Sequence, residues 1–309
     1  MATRKWTAAD VPSLTGRLAV VTGSTSGLGY EAALALARAG AQVVLAARDE
    51  AKAQRTMASI QQVHAGAQVE FRQLDTASLA SVQEFAASWR DGGPPIDILL
   101  LNAGISAVPQ REETEDGFER QFATNYLGHF ALTGLLLPNV RRDASSRIVE
   151  VASIAHRRAW LHLDDLQLKS SYRPMAAYGL TKLAMLMFGL ELDRRLKAAG
   201  SPVRSIPAHP GVASTDITRR GDRAGPIQWF LGQALFNVIG QSAAQGALPL
   251  LFAATAPDAK GGAYYGPNGF REIHGYPEEA EIAPHALDRL AAERLWSASE
   301  ELTGVTYRF

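Results

Sequence analysis

Tyr178 and Lys182 stand four residues apart, one turn of a helix, so their side chains share a face. A phenol with a pKa near 10 is a poor acid at neutral pH, but a neighbouring ammonium favours the phenolate and pulls that value down. The pair reads as a proton donor and the cation that tunes it. Far upstream, Gly23 to Gly29 reads Gly-Ser-Thr-Ser-Gly-Leu-Gly, between an apolar β-branched run and a helix-like segment. A strand that runs into glycines and then a helix leaves backbone N–H groups aimed at one spot. The helix dipole adds partial positive charge there, and a pyrophosphate binds. In that reading Gly23 permits the tight turn, Gly27 lets phosphates approach the backbone, and Gly29 lets the helix pack on the strand. Ser24, Thr25 and Ser26 add hydroxyl donors, and Leu28 lies within the turn. The spacing is Gly-x-x-x-Gly-x-Gly, not the commoner Gly-x-Gly-x-x-Gly. Taken singly, Tyr178 reads as a packed aromatic and Lys182 as a snorkelling surface lysine. Turn and pair together describe a chain that holds a dinucleotide and moves a proton while a hydride moves.

The end of the second strand chooses the cofactor. An acidic side chain there would bind the ribose hydroxyls of NAD and repel a 2′-phosphate, whereas a basic one would pair with that phosphate. The sequence is Ala46-Ala47-Arg48-Asp49, with Ala47 where the acid would stand and Arg48 just beyond. The planar donor fork of Arg suits a phosphate, and Lys52 lies one helical turn away. NADP, as NADPH, is favoured over NAD. Asp49 is placed to N-cap the next helix.

The elements that must position these groups alternate short β-branched runs with longer helical stretches, the pattern of parallel strands joined by helices. Strands are predicted at 18–22, 43–46, 68–74, 96–101, 147–152, 203–208 and, briefly, 262–265. Helices are predicted at 28–39, 50–63, 79–89, 117–137, 175–197 and 242–254. No repeat, low-complexity tract or linker interrupts the 309 residues. The chain is expected to be a single α/β domain, a doubly wound parallel sheet of Rossmann type with helices on both faces. Extra length falls in a leader through Gly16, an insert at about 155–174, and the segment after Tyr265.

Composition excludes several classes. Lys and Arg number 31 and so do Asp and Glu, which leaves no electrostatic footprint for nucleic acid or a polybasic membrane role. With no cysteine there are no disulfides, thiol nucleophiles or Cys-ligated metals, in keeping with a reducing, cytoplasmic setting. Residues Met1 to Asp10 carry Arg4, Lys5 and Asp10 without an apolar core, so no signal segment is expected. Ala224 to Pro257 holds no charged residue, but Pro226, Pro249 and several amides break it, and no membrane span is expected. His156, His162, His209, His274 and His285 show no metal-ligand spacing, and no metal is expected. Arg219, Arg220, Asp222 and Arg223 precede the uncharged stretch as the hinge of a substrate lid at 216–241. Trp160, Trp229, Phe230, Phe236 and Tyr265 are candidates for an apolar pocket.

These features resemble the short-chain dehydrogenase/reductase family over nearly the whole chain, from about Leu14 onward. Thr22 to Gly29 is similar to the family's glycine motif. Leu74-Asp75-Thr76 resembles the segment beside the adenine, and Asn102-Ala103-Gly104 the strand-end motif that supports the cofactor. Asn125, Ser153, Tyr178 and Lys182 fall in the order of the family's catalytic Asn, Ser, Tyr and Lys. Pro210-Gly211-Val212, with Thr215, resembles the turn that holds the nicotinamide carboxamide. Thr181 stands where the family often has Ser. Ala47-Arg48-Asp49, Asn125 to Phe130, His209 to Val212 and Ala292 to Trp296 resemble the retinol-dehydrogenase-like branch, which prefers NADP and acts on lipophilic aldehydes and ketones.

The resemblance implies that Tyr178 protonates the carbonyl oxygen and that Ser153 polarises it. It also implies that Lys182 holds the nicotinamide ribose and that Asn125 anchors a water linking Lys182 to solvent. It further implies a homodimer or homotetramer paired through the helices at 175–197 and 242–254. The expected function is NADP-dependent interconversion of a carbonyl and an alcohol. A non-catalytic NADP-binding regulator on the same fold is the alternative, and the intact Ser153–Tyr178–Lys182 set argues against it. An epimerase or dehydratase is disfavoured by the glycine spacing.

Overall fold

The computed structural model describes residues 5–89, 92–213 and 241–309. Six strands form one parallel sheet: β1 (Leu18–Thr22), β2 (Gln42–Ala47), β3 (Gln68–Gln73), β4 (Ile98–Leu101), β5 (Arg147–Glu150) and β6 (Arg204–Ser205). Their spatial order is β3-β2-β1-β4-β5-β6, so the winding reverses between β1 and β4. That switch point is where open α/β sheets bind ligands, outside the carboxyl ends of the strands.

Strand β1 is buried throughout, and its alternation feeds both layers. Leu18 and Val20 face one core with β4 residues Leu99 and Leu101, and with α3 (Leu79–Ala87), α5 (Gly128–Leu136), α6 (Pro174–Ala198) and α8 (Arg289–Thr303). Ala19 and Val21 face the other, with α1 (Gly27–Arg38), α2 (Glu50–Val63) and α7 (Ala243–Thr255). The doubly wound, two-faced α/β architecture is the one the sequence predicts.

Three segments depart from the predicted boundaries. The long helix expected over 117–137 starts at Arg120, because Gly117 is left-handed (φ 79°) and the Glu119 carboxylate caps the next turn through Gln121 N and Phe122 N. It runs as a short turn, α4 (Arg120–Phe122), a π-turn at Ala123–Leu127, and then α5. Regular pairing of β6 stops at Ser205, although Ile206 N and Ala208 N still bond to Ile148 O and Glu150 O; Pro207 between them has no N–H to give. The strand expected at 262–265 is β7 (Tyr265–Pro267). It pairs antiparallel with β8 (Pro277–Glu279) in a separate ribbon and meets the main sheet by one bridge, Ala208 to Tyr265.

Candidate functional site

Thr22, the last residue of β1, ties the strand ends together. Its hydroxyl accepts from Asn102 N and Ala103 N, each at 2.9 Å, and donates to His129 Nε2 at 3.0 Å. His129 Nδ1–H in turn donates to the Asn125 carbonyl at 3.0 Å. Burial lowers the His129 pKa to about 4 and keeps the ring neutral, as this bonding needs. The Asn102 amide donates to Thr22 O (2.9 Å) and Gly23 O (3.1 Å), so it locks the glycine turn. Thr22 and His129 have roles that residue spacing alone did not assign; the signal available was the i, i+4 step from Asn125 to His129.

Gly23 (φ 64°) and Gly27 (φ 55°) adopt the left-handed conformation that the turn requires. A Cβ on Gly29 would lie 2.4 Å from Gly23 O and 2.6 Å from the Asn102 amide nitrogen, so only glycine lets α1 close on the strand end. Ser26 precedes α1 without a side-chain cap bond, which leaves the first N–H groups of the helix free. This turn opens a cleft of about 510 Å³, lined by Thr25, Ser26, Leu28, Asp75, Thr76 and the Asn102–Gly104 segment. Ser24 differs from its neighbours: it is fully buried, lies off the cleft lining, and its Oγ has no hydrogen-bond partner among the described residues.

Arg48 lies exposed on the rim of the same cleft, with no ion pair or hydrogen bond among the described residues. Asp49 is committed elsewhere: it caps α2 by accepting from Lys52 N at 2.9 Å and pairs with Lys52 Nζ at 3.6 Å. Ala47 brings no carboxylate to the strand end. The cradle therefore fits a dinucleotide: free helix N–H groups, glycines that admit a close approach, and at the far rim a guanidinium with no partner among the described residues.

A second cleft of about 1060 Å³ shares Leu28, Asn102, Ser106 and Ala107 with the first. Ser153, Tyr178, Lys182 and the Pro210–Val212 turn line it together. Ser153 follows β5, accepts from Ala155 N at 3.2 Å and lines the second cleft with Tyr178. Lys182 is buried and its Nζ donates to Val151 O at 2.6 Å, 5.8 Å from the centre of the Tyr178 ring. Asn125, at the middle of the π-turn, exchanges bonds with both backbone groups of Ile105 (2.8 and 2.9 Å) and donates to Thr181 Oγ1 at 3.0 Å. Thr181 Oγ1 donates onward to Tyr178 O at 2.8 Å, so the residue that departs from the familiar Ser joins Asn125 to the tyrosine turn.

The electrostatics differ from the sequence expectation in one respect. The Tyr178 pKa is raised above 10, because burial outweighs the lowering influence of the Ser153 hydroxyl, and Lys182 is itself lowered to about 8 by burial. An i, i+4 ammonium that points to a backbone carbonyl, not to the phenol oxygen, does not overcome desolvation.

The Pro210–Val212 turn is held from the C-terminal part of the chain. A Cβ on Gly211 (φ 66°) would meet Ile273 O at 2.4 Å, and Val212 N donates to Ile273 O at 2.8 Å. His209 accepts from Gly211 N and donates to Glu272 at 3.0 Å, and Glu272 also pairs with Arg157 at 2.7 Å. Glu272, at a pKa of about 2, is a carboxylate fixed between strand end and insert. No local pattern announces this triad, whose members come from three distant segments. Trp160 lines the second cleft, whereas Tyr265 packs on Phe252 in the core. Thr215, the lid at 216–241, Trp229, Phe230 and Phe236 lie outside the described residues, save Gln241 at the lid's end.

The profile of the short chain dehydrogenase family matches residues 17–224, and this chain belongs to that family, in its retinol-dehydrogenase-like branch. It is thus an oxidoreductase of carbonyl and alcohol groups in a family that uses NAD(P). The chain is 40% identical over 301 residues to the polyprenol dehydrogenase of Mus musculus, covering 95% of this chain and 86% of that one. It is 37% identical over 303 residues to retinol dehydrogenase 13 of Homo sapiens, covering 95% and 86%. A crystal structure of a protein from Mycobacterium paratuberculosis, of uncharacterised function, superposes with a TM-score of 0.81 at 40% identity, over 99% of this chain and all of that one. Among the described residues one helix, α6, is long and apolar enough to cross a membrane, but 78% of its most apolar window is buried inside the fold.

Proposed function

We propose that the protein interconverts a lipophilic aldehyde or ketone and its alcohol with NADP(H), using Tyr178 as the acid and base. The observation that carries the reading is the convergence of Ser153, Tyr178 and Lys182 on the second cleft, which shares Leu28, Asn102, Ser106 and Ala107 with the cleft of the glycine turn. When bound, the nicotinamide supplies or accepts the hydride. The Tyr178 hydroxyl gives its proton to the carbonyl oxygen in reduction and regains it in oxidation. Ser153 Oγ donates to the same oxygen and favours the charge that develops on it. The Lys182 ammonium, steadied by Val151 O, favours the phenolate and offers its remaining N–H groups to ribose hydroxyls. The Asn125 amide is engaged with Ile105 and Thr181, and its carbonyl accepts from His129, so Asn125 braces the π-turn beside the helix that carries Lys182.

Arg48, beside Ala47 and with no partner among the described residues, supports NADP over NAD by answering a 2′-phosphate. The relatives' names, polyprenol and retinol dehydrogenase, and the apolar wall of the second cleft support a lipophilic substrate. The test is NADPH oxidation across lipophilic aldehydes, cyclic ketones and quinones. Tyr178→Phe is expected to lower turnover by about 10²–10⁴-fold with NADPH affinity retained; undiminished turnover removes Tyr178 from the chemistry. Arg48→Ala is expected to weaken NADPH by about tenfold and leave NADH unchanged. Equal losses for both cofactors would overturn the NADP assignment.

A further inference from the structure

The cleft that adjoins Ser153 and Tyr178 is apolar in its wall and positive in its charged groups. Ile154, Leu168, Leu180 and Ile273 line it, with Trp160 and Met175, 66% and 60% exposed, also on its lining. Arg157, Arg158 and Arg271 line it too, and among the described lining residues there is no Asp or Glu. The chain as a whole balances 31 basic against 31 acidic residues, so this excess is local.

Arg157 is accounted for by its ion pair with Glu272. Arg158 and Arg271 have no carboxylate partner among the described residues; the Arg271 guanidinium rests only over the Phe270 ring, at 5.3 Å. Arg271 and Glu272 both hold left-handed backbone (φ 52° and 59°), which L side chains other than Asn and Asp rarely adopt. The bonds of Glu272 to His209 and Glu281 N, and of Ile273 O to Val212 N, hold that strained pair in place. Strain maintained by surrounding bonds beside a catalytic cleft is a mark of positioning for a ligand. Two exposed guanidiniums with no carboxylate partner among the described residues, beside apolar surface, suit a molecule that is itself apolar along its length and anionic at one end.

We propose that the substrate is an amphiphilic anion, with the reacting carbonyl or alcohol carbon at Tyr178 and a carboxylate or similar oxyanion, at the other end of an apolar chain, held by Arg158 and Arg271. The proposal rests on the carbonyl–alcohol reading only for the position of the reacting end. It is tested by calorimetry on the protein saturated with NADPH, using ω-hydroxydodecanoate and its methyl ester, alcohols that cannot react with the reduced cofactor. The acid is expected to bind about tenfold tighter than the ester, an advantage that shrinks as salt is raised. In the Arg158→Gln/Arg271→Gln double variant the advantage is expected to vanish while ester affinity stays at its wild-type value, which also reports that the variant is folded. Equal affinities in the wild type, or equal losses of acid and ester in the variant, overturn the proposal.

Reduction of the two corresponding ω-oxo compounds is measured alongside. If the acid wins in binding but neither aldehyde is reduced, the anion site stands and the catalytic reading falls. If both are reduced and bound equally well, catalysis stands and the anion site falls.

Discussion

Lys182 works under two opposed demands. It must carry charge to favour the Tyr178 phenolate, yet burial draws its own pKa down to about 8. For the reduction, kcat/KM is therefore expected to fall as pH rises through about 8, where the ammonium loses its proton. Lys182→Arg keeps its charge across the accessible range. That variant, slower for its altered reach, should lose the alkaline limb in a pH–rate profile; a limb left in place would belong to another group. At this scale the residue types and their spacing were readable, but their partners were not. Lys182 donates to Val151 O, and Thr181 bridges Asn125 to Tyr178 O; both contacts depend on how β5 and the π-turn lie against α6. The same holds for the phenol, whose pKa is raised where its helical neighbour alone would lower it.

Among the elements, the β1–α1 unit is the most fully determined by local sequence. A fully buried β-branched run, left-handed glycines and an uncapped helix start need no distant partner to specify them. The close fit of Gly29 against Gly23 O and the Asn102 amide makes a sharp prediction. Gly29→Ala should destabilise the fold by about 1–3 kcal/mol through overpacking and weaken NADPH, read from thermal unfolding with and without the cofactor. An unchanged melting temperature together with unchanged affinity would mean that the turn yields easily. Elements whose form depends on partners were less legible. The π-turn around Asn125 interrupts an otherwise helical apolar pattern, and the pairing of β7 with β8 depends on how the segment after Tyr265 folds back. Helix α8 is secured by Trp296 against Phe130 and by Ser299 against the Tyr126 hydroxyl, contacts across most of the chain.

For the molecule as a whole, buried titratable groups shape stability against pH in opposite directions. His129 and His156 are held neutral with pKa values lowered from 6.5 to about 4. Their contribution is full above 6.5 and is lost as pH falls toward 4, because the unfolded chain then binds more protons, at about 1.4 kcal/mol per pH unit for each group. Glu150, buried in β5 with Oε1 on the Ser205 hydroxyl and Oε2 unpartnered, is raised from 4.5 to about 8. The folded state keeps its proton where the unfolded state releases it, so stability is lost as pH rises from 4.5 to 8. Among these three groups, the two histidines outweigh Glu150 below 6.5 and Glu150 acts alone above it, which places the expected maximum near pH 6.5. Denaturant unfolding across this range is the check. Glu150→Gln should raise stability near pH 8 by at least about 1 kcal/mol and flatten the decline above 6.5. A decline that survives the substitution would assign it elsewhere.

The sequence by itself determined the parallel α/β class, the glycine turn, the lack of an acid at Ala47 with Arg48 after it, and the Tyr178–Lys182 spacing. Each of these is written in neighbouring residues or in a period of two or nearly four, which local geometry alone translates into structure. Only the tertiary structure decided what those groups face. The strand-end lock from Thr22 to His129 joins residues 107 positions apart, and the brace from Glu272 to His209 spans 63. The two arginines on the second cleft that lack an acid partner among the described residues come from the insert and from the strained turn at 271–272. Burial and long-range pairing set their electrostatics, and both come into being only when distant segments pack.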